Sequence, residues 1–352
     1  KQVSLCYKKH SMSKKNSIVL NHKNCFSNSE QISYIYSDFK KKILKLKTNK
    51  FLVAVSGGPD SLALAAMCKA FETNYKKKKF YYIHINHGLR KNSQSESSQV
   101  KEILKKQHIL LKVINNKKKI INNIQHNARK VRYSLLSNEC KKKKIKFILT
   151  GHHKEDQIET FLIRLSRGSG VQGLSAMNTT TLIKNNIKVF RPFLDNSKKN
   201  LIFVTKKVFG TYIKDPSNND KKFLRSKIRK LLPILNKYGI NENQIIRSIN
   251  NLKSSSKTIN IHFKEVFKKV VKQKEKKIFI KKNNLFSLNE ELQIKILGHI
   301  IKSLKKSDYP PRSKKILNAL KFLNSARETK HQLGGCLLIN RNNHIYVEKS
   351  LQ

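Results

Sequence analysis

The chain has 352 residues, which is enough for one large domain or two ordinary ones with a substantial core. It carries 76 Lys and Arg against 21 Asp and Glu, a formal net charge of +55, so nucleic acid is the expected partner of this polycation. The sequence has no apolar stretch of membrane-spanning length and no signal-peptide core, so we expect no membrane partner.

The cysteines and the N-terminal segment indicate no special compartment. The five cysteines, at positions 6, 25, 68, 140 and 336, form neither a C-x-x-C pair nor a cluster with zinc spacing. Residues 1–40 are predicted to be an N-terminal extension that is poorly ordered. We expect a bacterial cytoplasmic protein, with an organelle stroma or matrix as the alternative.

A glycine-rich turn follows the first apolar segment. Phe51–Val55 predicts a buried parallel strand, Ser56–Ser61 reads Ser-Gly-Gly-Pro-Asp-Ser, and the Ala/Leu-rich run that follows predicts a helix opening at Ser61. Backbone N–H groups and the positive end of a helix dipole meet at such a turn and favour phosphate binding. Glycines alone would be typical of an ordinary strand-to-helix turn, but the two serines and Asp60 favour an anion and metal site. The Walker pattern is absent.

The chain then alternates strands and helices. Ser93 and Glu96 have the spacing of a capping box, with Ser93 as the N-cap of a helix that runs to about Gln107. This alternation predicts an α/β fold with a doubly wound parallel sheet. The predicted strands are Phe51–Val55, Phe80–Ile85, Ile109–Ile114 and Phe147–Thr150.

Three polar segments follow strands and should converge at one edge of this sheet. They are Ser56–Ser61, His84–Arg90 and Gly151–Asp156. His84, His87, His152 and His153 lie in or beside them, but no cysteine joins them, so a loop-shaping or nucleotide-contact role is favoured over zinc.

Beyond Asp215 the pattern changes. Asp220 is predicted to cap a helix over 221–232 that ends at Pro233, with Arg225 and Arg229 on one face, where they would contact phosphates or only solvent. Residues 240 to about 305 have helical periodicity, and Pro310-Pro311 marks a boundary. The predicted elements after this boundary are a helix over Ser313–Leu323 and two strands, Cys336–Ile339 and His344–Val347.

The motifs together resemble those of the tRNA(Ile)-lysidine synthetase family, which belongs to the N-type ATP pyrophosphatases, or PP-loop enzymes. The resemblance covers roughly residues 50 to 235, and the segment from Arg167 to Met177 is its most family-specific part. The motifs are Ser56–Ser61, His84–Arg90 with Ser93 and Glu96, Ala128-Arg129 with Arg132-Tyr133, Gly151–Thr160, Arg167–Leu174 with Met177, Arg191–Leu194 and Asp215–Asn218.

The resemblance implies four segments. They are the extension over residues 1–40, a PP-loop catalytic domain over 41–218, a helical tRNA or substrate domain over 219–308, and an abbreviated α+β tRNA-binding piece over 309–352. The sequence departs from the family at Glu155, where an aspartate is usual, at Tyr212 and Lys214, and at Ser226. These departures put packing and tRNA contacts in doubt more than the ATP chemistry.

The resemblance also implies a reaction. ATP adenylates the 2-carbonyl oxygen of the wobble cytidine in the CAU anticodon of an isoleucine tRNA, and free L-lysine then displaces AMP to give lysidine. ATP and Mg²⁺ are the implied cofactors, and no obligate protein partner is predicted. Lysine's amine has a pKa near 10.4, so a carboxylate is needed to bind it and take its proton.

Residue roles follow from the same resemblance. The catalytic residues would be Asp60, Asp156 and Arg129, and Asp60 with Asp156 would hold Mg²⁺. The lysine-binding carboxylate would be Asp156 or Glu159. ATP would contact Ser56, Gly57, Gly58, Pro59, Asp60, Ser61, His84 and Gly151. The tRNA would contact Arg132, Arg167, Arg191, Arg225 and Arg229.

Two other classes remain open. Another adenylating PP-loop enzyme, such as a tRNA thiolase, would usually need paired cysteines, and an amidotransferase-coupled synthetase would need a glutaminase domain. A non-catalytic RNA-binding protein with a degenerate loop would be expected to have lost its carboxylates, whereas Asp60 and Asp156 are both present.

Overall fold

Two β-sheets organise the part of the chain that the computed structural model describes, namely residues 29–90, 92–118, 120–214, 224–274, 277–307, 309–325 and 327–350. The chain divides into two units. The first contains the described residues up to Thr160 and the range Met177–Glu242, and the second contains Phe161–Ala176 and the described residues from Asn243 onward.

The first unit is built on a six-stranded sheet. Its strands are β1 (Lys50–Ala54), β2 (Lys79–Asn86), β3 (Leu111–Asn115), β4 (Phe147–Leu149), β5 (Thr180–Leu182) and β6 (Lys188–Phe190). Their order is β3-β2-β1-β4-β6-β5, and all pairings are parallel except that of β5 with β6. Its helices are α1 (Glu30–Leu44), α2 (Pro59–Asn74), α3 (Ser93–Lys105), α4 (Ile124–Lys142), α5 (Lys154–Leu165), α7 (Lys198–Phe209) and α8 (Leu224–Lys237), and α5 continues past Thr160.

Helices cover both faces of this sheet. Successive side chains of a strand point to opposite faces, so neighbouring residues of β1 pack against different helices. Phe51 and Val53 of β1 belong to a core cluster that includes side chains of α1, α2, α3 and α7. Leu52, between them, packs in a second cluster with Leu136 and Cys140 of α4. Burial on both faces accounts for the unbroken apolar run of β1. The prediction of a doubly wound parallel sheet is confirmed, with the antiparallel edge strand β5 as an addition to it.

Helix α1 corrects the prediction for residues 1–40. Residues 1–28 lie outside the described residues, but residues 30–40 are helical rather than poorly ordered. Ile32, Ile35, Phe39 and Ile43 are each at most 1% exposed. Their spacing of three or four residues forms one apolar face, which the surrounding lysines obscure in the sequence.

The predicted strands of the first unit are present, with ends shifted by up to two residues. The prediction of a capping box at Ser93 and Glu96 is wrong. Asn92, not Ser93, is the N-cap of α3, and the Glu96 carboxylate accepts from Arg90 at 3.3 Å instead of reaching back to the helix start.

The predicted end of α8 is also wrong. Pro233 lies inside the helix, which continues to Lys237. A proline removes one backbone hydrogen bond of the helix, because it has no N–H group. Helical hydrogen bonds are present beyond it, since the Tyr238 N–H donates to Ile234 O at 3.2 Å. The predicted cap, Asp220, lies outside the described residues.

The second unit is built on an antiparallel sheet of five strands with the order β7-β8-β11-β10-β9. The strands are β7 (Val271–Lys274), β8 (Lys277–Lys281), β9 (Thr329–Leu333), β10 (Cys336–Arg341) and β11 (His344–Lys349). Its helices are α6 (Val171–Leu174), α9 (Glu242–Val270), α10 (Lys282–Phe286), α11 (Glu290–Lys305) and α12 (Ser313–Leu323), of which α9 begins at the last residue of the first unit.

The two strands predicted near the C-terminus are confirmed as β10 and β11. Asn342 and Asn343 join them with φ angles of 48° and 55°, as a tight hairpin turn requires. The helical prediction for 240 to about 305 is wrong over β7 and β8. Strand β8 pairs with β11 more than 60 residues later, where Lys281 lies opposite His344, and local periodicity does not report such a partner.

Among the described residues, no helix combines the length and the apolar character needed to cross a lipid bilayer.

Replacing Phe39 by alanine is expected to lower the free energy of unfolding of the first unit by about 3 kcal/mol or more, because a large buried side chain leaves a cavity. The Phe39 ring lies 6.2 Å from that of Phe71 and 5.9 Å from that of Phe193. Urea denaturation followed by circular dichroism measures the change. Tyr34→Ala, on the same helix but 74% exposed, is the control and should shift stability by less than about 0.5 kcal/mol. Equal losses in the two variants would contradict the packing of α1.

Candidate active site

The loops that follow β1 and β4 lie where the strand order reverses. The chain passes from β1 to β2 and β3 on one side of the sheet and returns to β4 on the other side of β1. Loops that diverge from the carboxyl ends of two such strands form the crevice where open α/β sheets bind ligands. The predicted ATP-binding segment Ser56–Ser61 and Gly151 lie in these two loops.

The Ser61 hydroxyl holds the first loop in shape. It accepts hydrogen bonds from the backbone N–H groups of Ser56 at 3.1 Å and Gly57 at 3.2 Å, and from Ser56 Oγ at 3.1 Å. It donates to Gly58 O at 2.9 Å. Because Gly58 is the N-cap of α2 and Pro59 its first residue, the loop wraps the start of a sixteen-residue helix, whose free N–H groups attract anions.

Two glycines allow close approaches that a side chain would prevent. Gly57 has a φ of +89°, and a Cβ there would lie 2.5 Å from Val100 Cγ2. A Cβ on Gly151 would lie 2.6 Å from Asp60 O and 2.8 Å from Asp60 C. The loop after β4 therefore touches the backbone at the start of α2.

This approach brings Asp60 and Asp156 to one histidine. The Nε2 atom of His153 lies 3.6 Å from Asp60 Oδ2 and 3.5 Å from Asp156 Oδ2. The His153 N–H also donates to Asp156 Oδ2 at 3.1 Å, as a helix-capping contact at the start of α5. The two predicted catalytic carboxylates are thus brought together, although they are 96 residues apart in sequence.

His153 is a cation in this arrangement. Burial disfavours its charged form, but hydrogen bonds to Asp60 and Glu155 and the charges of Asp156 and Asp60 outweigh burial and raise its pKa to about 10. Its Nδ1 atom donates to Glu155 Oε2 at 2.9 Å. The sequence reasoning named His153 but did not assign it a partner.

The Glu155 side chain, which is longer than the aspartate usual at this position, connects two helices. Its two carboxylate oxygens accept from the Lys198 N–H at 3.0 Å and 2.9 Å, at the first residue of α7. Burial raises the pKa of Glu155, but its bonds to His153 and to Lys198 N–H lower it below the usual value. The Glu155 carboxylate therefore links α5 to α7.

The carboxylates of Asp60 and Asp156 fit a Mg²⁺ ion. Asp60 Oδ1 is buried and has no hydrogen-bond partner among the described residues, so it could coordinate a cation. Mg²⁺ commonly takes one or two protein carboxylates together with substrate phosphates and water, which matches a site beside an anion-binding loop.

Glu159 is held by two arginines. It is 1% exposed, and the Nε of Arg229 donates to its Oε1 while Arg225 Nε lies 3.9 Å from its Oε2. Burial lowers the pKa of the Arg229 guanidinium, but Glu159 outweighs burial and raises it. Of the two carboxylates suggested for lysine, Glu159 is thus engaged by Arg229, whereas Asp156 lies beside Asp60.

The other histidines differ in their partners. His84 Nδ1 lies 2.9 Å from Val55 O and its Nε2 lies 3.1 Å from Ser97 Oγ, so this predicted ATP contact connects the end of β1 to α3. Both ring nitrogens of His87 are buried and accept or donate no hydrogen bond within the part of the chain that the structure describes, and burial, Arg132 and His84 lower its pKa to about 4.

Arginines surround this edge of the sheet. Burial, followed by the charges of Arg191, Arg129 and Arg225, holds the pKa of His152 well below its usual range, and that histidine's Nδ1 lies 2.9 Å from Thr150 Oγ1. Three predicted arginines therefore act on His152 in the loop after β4, and a fourth, Arg132, acts on His87, which follows β2.

The predicted arginine contacts are not equivalent. Arg191 is 4% exposed and donates to Asn178 O and Thr181 Oγ1, both at 2.9 Å, so its guanidinium is structural. Arg129 is exposed and lies 5.0 Å from the Tyr133 ring. Arg167 is exposed and belongs to the second unit. The predicted motif at 215–218 lies outside the described residues.

Comparisons with known proteins identify the family to which the chain belongs. The PP-loop domain family matches residues 29–235. The chain is 33% identical over 305 residues to the tRNA(Ile)-lysidine synthase of Wolbachia pipientis wMel, covering 85% of this chain and 70% of the relative. It is 41% identical over 186 residues to the corresponding synthase of Orientia tsutsugamushi, covering 52% of this chain and 41% of that one.

Among solved structures, the fold is similar to that of the U34-tRNA thiolase of Methanococcus maripaludis, with a TM-score of 0.54 and 17% identity over 63% of this chain and 78% of the thiolase. This likeness concerns the fold alone. On the family match and the relatives together, the chain belongs to the PP-loop family and, within it, to the tRNA(Ile)-lysidine synthases.

Proposed function

We propose that this chain uses ATP to activate the wobble cytidine in the CAU anticodon of an isoleucine tRNA and joins free L-lysine to its 2-position. The observation that supports the proposal is the contact between Gly151 and Asp60, where a glycine-rich turn at the start of a helix lies beside two carboxylates. The names of the relatives supply the substrate.

The reaction would proceed in two transfers. The 2-oxygen of cytidine attacks the α-phosphorus of ATP, and the bond to the bridging oxygen breaks so that pyrophosphate leaves. The lysine ε-nitrogen then attacks carbon 2, AMP leaves with the oxygen, and the amine loses a proton. The N–H groups at the start of α2 would stabilise the charge that develops on pyrophosphate, as preorganised dipoles do elsewhere.

Asp60 and Asp156 would hold Mg²⁺, which when bound would neutralise charge on the transferring phosphates. His153 would hold these two side chains in place, because its Nε2 atom lies 3.6 Å from Asp60 Oδ2 and 3.5 Å from Asp156 Oδ2. Asp156 is the better candidate than Glu159 for orienting lysine, because Arg229 already neutralises Glu159.

The tRNA would be held by exposed cations. Arg129 and Arg132 are exposed on α4, and Arg225 is partly exposed beside Glu159. Arg167 and the lysine-rich second unit would add phosphate contacts whose affinity falls with salt. Because the relatives are bacterial, we place the reaction in a bacterial cytoplasm.

A thiolase function has less support. Cys68 and Cys140 are buried on α2 and α4, and Cys336 is buried in the second unit, so these three cysteines form no pair at the loops. Burial raises the pKa of Cys140 to about 12, which disfavours a reactive thiolate.

Asp60→Asn is expected to reduce pyrophosphate release at least about a hundredfold, because a charged group facing the phosphates is lost. The measurement is ATP-, lysine- and tRNA-dependent pyrophosphate release, with tRNA affinity determined in parallel and expected to change less than about twofold. Asp195→Asn is the control, since its carboxylate is 78% exposed and pairs with Lys42. Full activity in Asp60→Asn would remove Asp60 from the chemistry.

Gly151→Ala is expected to weaken ATP binding at least about tenfold, because the new methyl group would overlap the Asp60 carbonyl and displace the loop. Equilibrium binding of a non-hydrolysable ATP analogue measures this. Gly170→Ala is the control, because its nearest contact for a Cβ is 3.9 Å away. Unchanged affinity in Gly151→Ala would show that the contact does not shape the ATP site.

The two candidate lysine carboxylates give different predictions. Glu159→Gln should lower the unfolding free energy by about 3 kcal/mol, because Arg229 loses its buried partner, with little change in the KM for lysine. Asp156→Asn should instead abolish lysine transfer or raise that KM at least about tenfold. Labelled-lysine incorporation and urea denaturation measure the two effects. A large rise in the lysine KM for Glu159→Gln alone would reverse the assignment.

A further inference from the structure

One hydroxyl group lies among the buried side chains of helix α7. Leu201, Val204 and Thr205 are each 0% exposed, and the first two belong to a core cluster of the six-stranded sheet. Burying a hydroxyl costs free energy unless it makes a hydrogen bond. A valine would have nearly the same shape without this cost, so the polar atom of Thr205 is explained by its partner rather than by packing.

The Thr205 hydroxyl donates outside its own helix. Within helices, threonine hydroxyls often donate to the carbonyl four residues earlier in the same helix. Thr205 Oγ1 instead donates to Pro59 O at 2.6 Å, 146 residues away in sequence. Pro59 is the first residue of α2, directly after the glycine-rich turn. Since a hydroxyl has a single proton to donate, this bond uses the whole donor capacity of Thr205.

The accepting carbonyl belongs to the same peptide unit as the Asp60 N–H. A peptide unit is planar and, as everywhere in the described residues, trans, so its C=O and N–H groups point in opposite directions. A bond that directs Pro59 O towards α7 therefore directs the Asp60 N–H away from α7. This N–H is among the first of α2 and has no acceptor within the helix, so it can face an anion.

The two preceding carbonyls of the turn are held in a similar way. Gly57 O accepts from the Ile213 N–H at 3.0 Å, and Gly58 O accepts from Ser61 Oγ at 2.9 Å. Three consecutive carbonyls of the turn thus have a donor, and two of these donors come from α7 or from the segment that follows it. Holding the carbonyls leaves the N–H groups of Gly58 and Asp60 on the opposite side of their peptide planes.

The start of α7 is attached to the other loop of the site. The Lys198 N–H donates to both carboxylate oxygens of Glu155, and the Lys154 N–H donates to Asn196 O at 2.9 Å, just before the helix. Lys198 and Thr205 are separated by two helical turns, about 10 Å along the axis. One helix therefore contacts the loop after β4 near its first residue and the glycine-rich turn two turns later.

We propose that Thr205 is a positioning residue for the phosphates of ATP, because its hydroxyl fixes the plane of the peptide between Pro59 and Asp60 and so aims the Asp60 N–H. Thr205 acts through this peptide and does not touch the substrate. N–H groups that are already aimed stabilise charge without having to reorient on binding. The choice of ATP as the ligand rests on the proposed function, and Thr205 was not among the predicted site residues.

The test compares Thr205→Val with Thr205→Ser in the full chain. Valine keeps the shape and removes the hydroxyl, whereas serine keeps the hydroxyl and removes a buried methyl group. Isothermal titration calorimetry measures the binding of a non-hydrolysable ATP analogue and of inorganic pyrophosphate, each with Mg²⁺, and urea denaturation measures stability. Thr205→Val is expected to weaken the binding of both ligands at least about fivefold, as the loss of one oriented hydrogen bond implies. Thr205→Ser should bind both ligands within about twofold of the parent chain, although the lost methyl group lowers its urea midpoint.

Val204→Ala is the matched control for packing. It creates a cavity at the neighbouring 0% exposed position and leaves the Thr205 hydroxyl in place. Its urea midpoint should fall, while both affinities stay within about twofold of the parent chain. A purely structural role of Thr205 predicts instead that affinity follows stability across the three variants. Parent-like affinity in Thr205→Val, or an equal loss of affinity in Thr205→Val and Thr205→Ser, would overturn the proposal.

The same measurements separate this proposal from the proposed function. If the Thr205 hydroxyl controls the binding of the ATP analogue and pyrophosphate while the parent chain forms no lysidine on any isoleucine tRNA, the role of Thr205 stands and the proposed function fails. A parent chain that binds neither ligand would overturn both.

Discussion

The close approach of Gly151 to the backbone of Asp60 determines where the other groups at the site lie. It is possible because β4 runs beside β1 in parallel, so that both following loops start at the same edge of the sheet. His153 and Asp156 are carried to the start of α2 by the same loop. A shift of this loop by the width of one methyl group would move His153 and Asp156 away from Asp60.

Two groups of ion pairs balance the charge at the site. The His153 cation sits between Asp60 and Asp156, and Arg229 with Arg225 neutralises Glu159 behind them. Among the described residues, Asp60 and Asp156 are therefore fixed by a histidine and not by an arginine, and Asp60 Oδ1 has no hydrogen-bond partner there. This arrangement suits a reaction whose substrates are a polyanion and a cationic amine, since each meets a group of the opposite charge.

Local features of the sequence were sufficient to predict four of the six strands of the first sheet and the two loops, whereas the three-residue strands β5 and β6 were missed. Strand β1, the Ser56–Ser61 turn and Gly151–Asp156 are each contiguous, so their residue types report their geometry directly. The ion pair of Glu159 with Arg229, 70 residues apart, had no such signal, because it depends on where α8 packs. The pairing of β8 with β11 was missed for the same reason.

The positive charge of the chain does not by itself select one RNA over another. With a formal net charge of +55, the chain attracts any nucleic acid through its phosphates, and such contacts carry no sequence information. Selection among RNAs therefore depends on groups that respond to something other than phosphate.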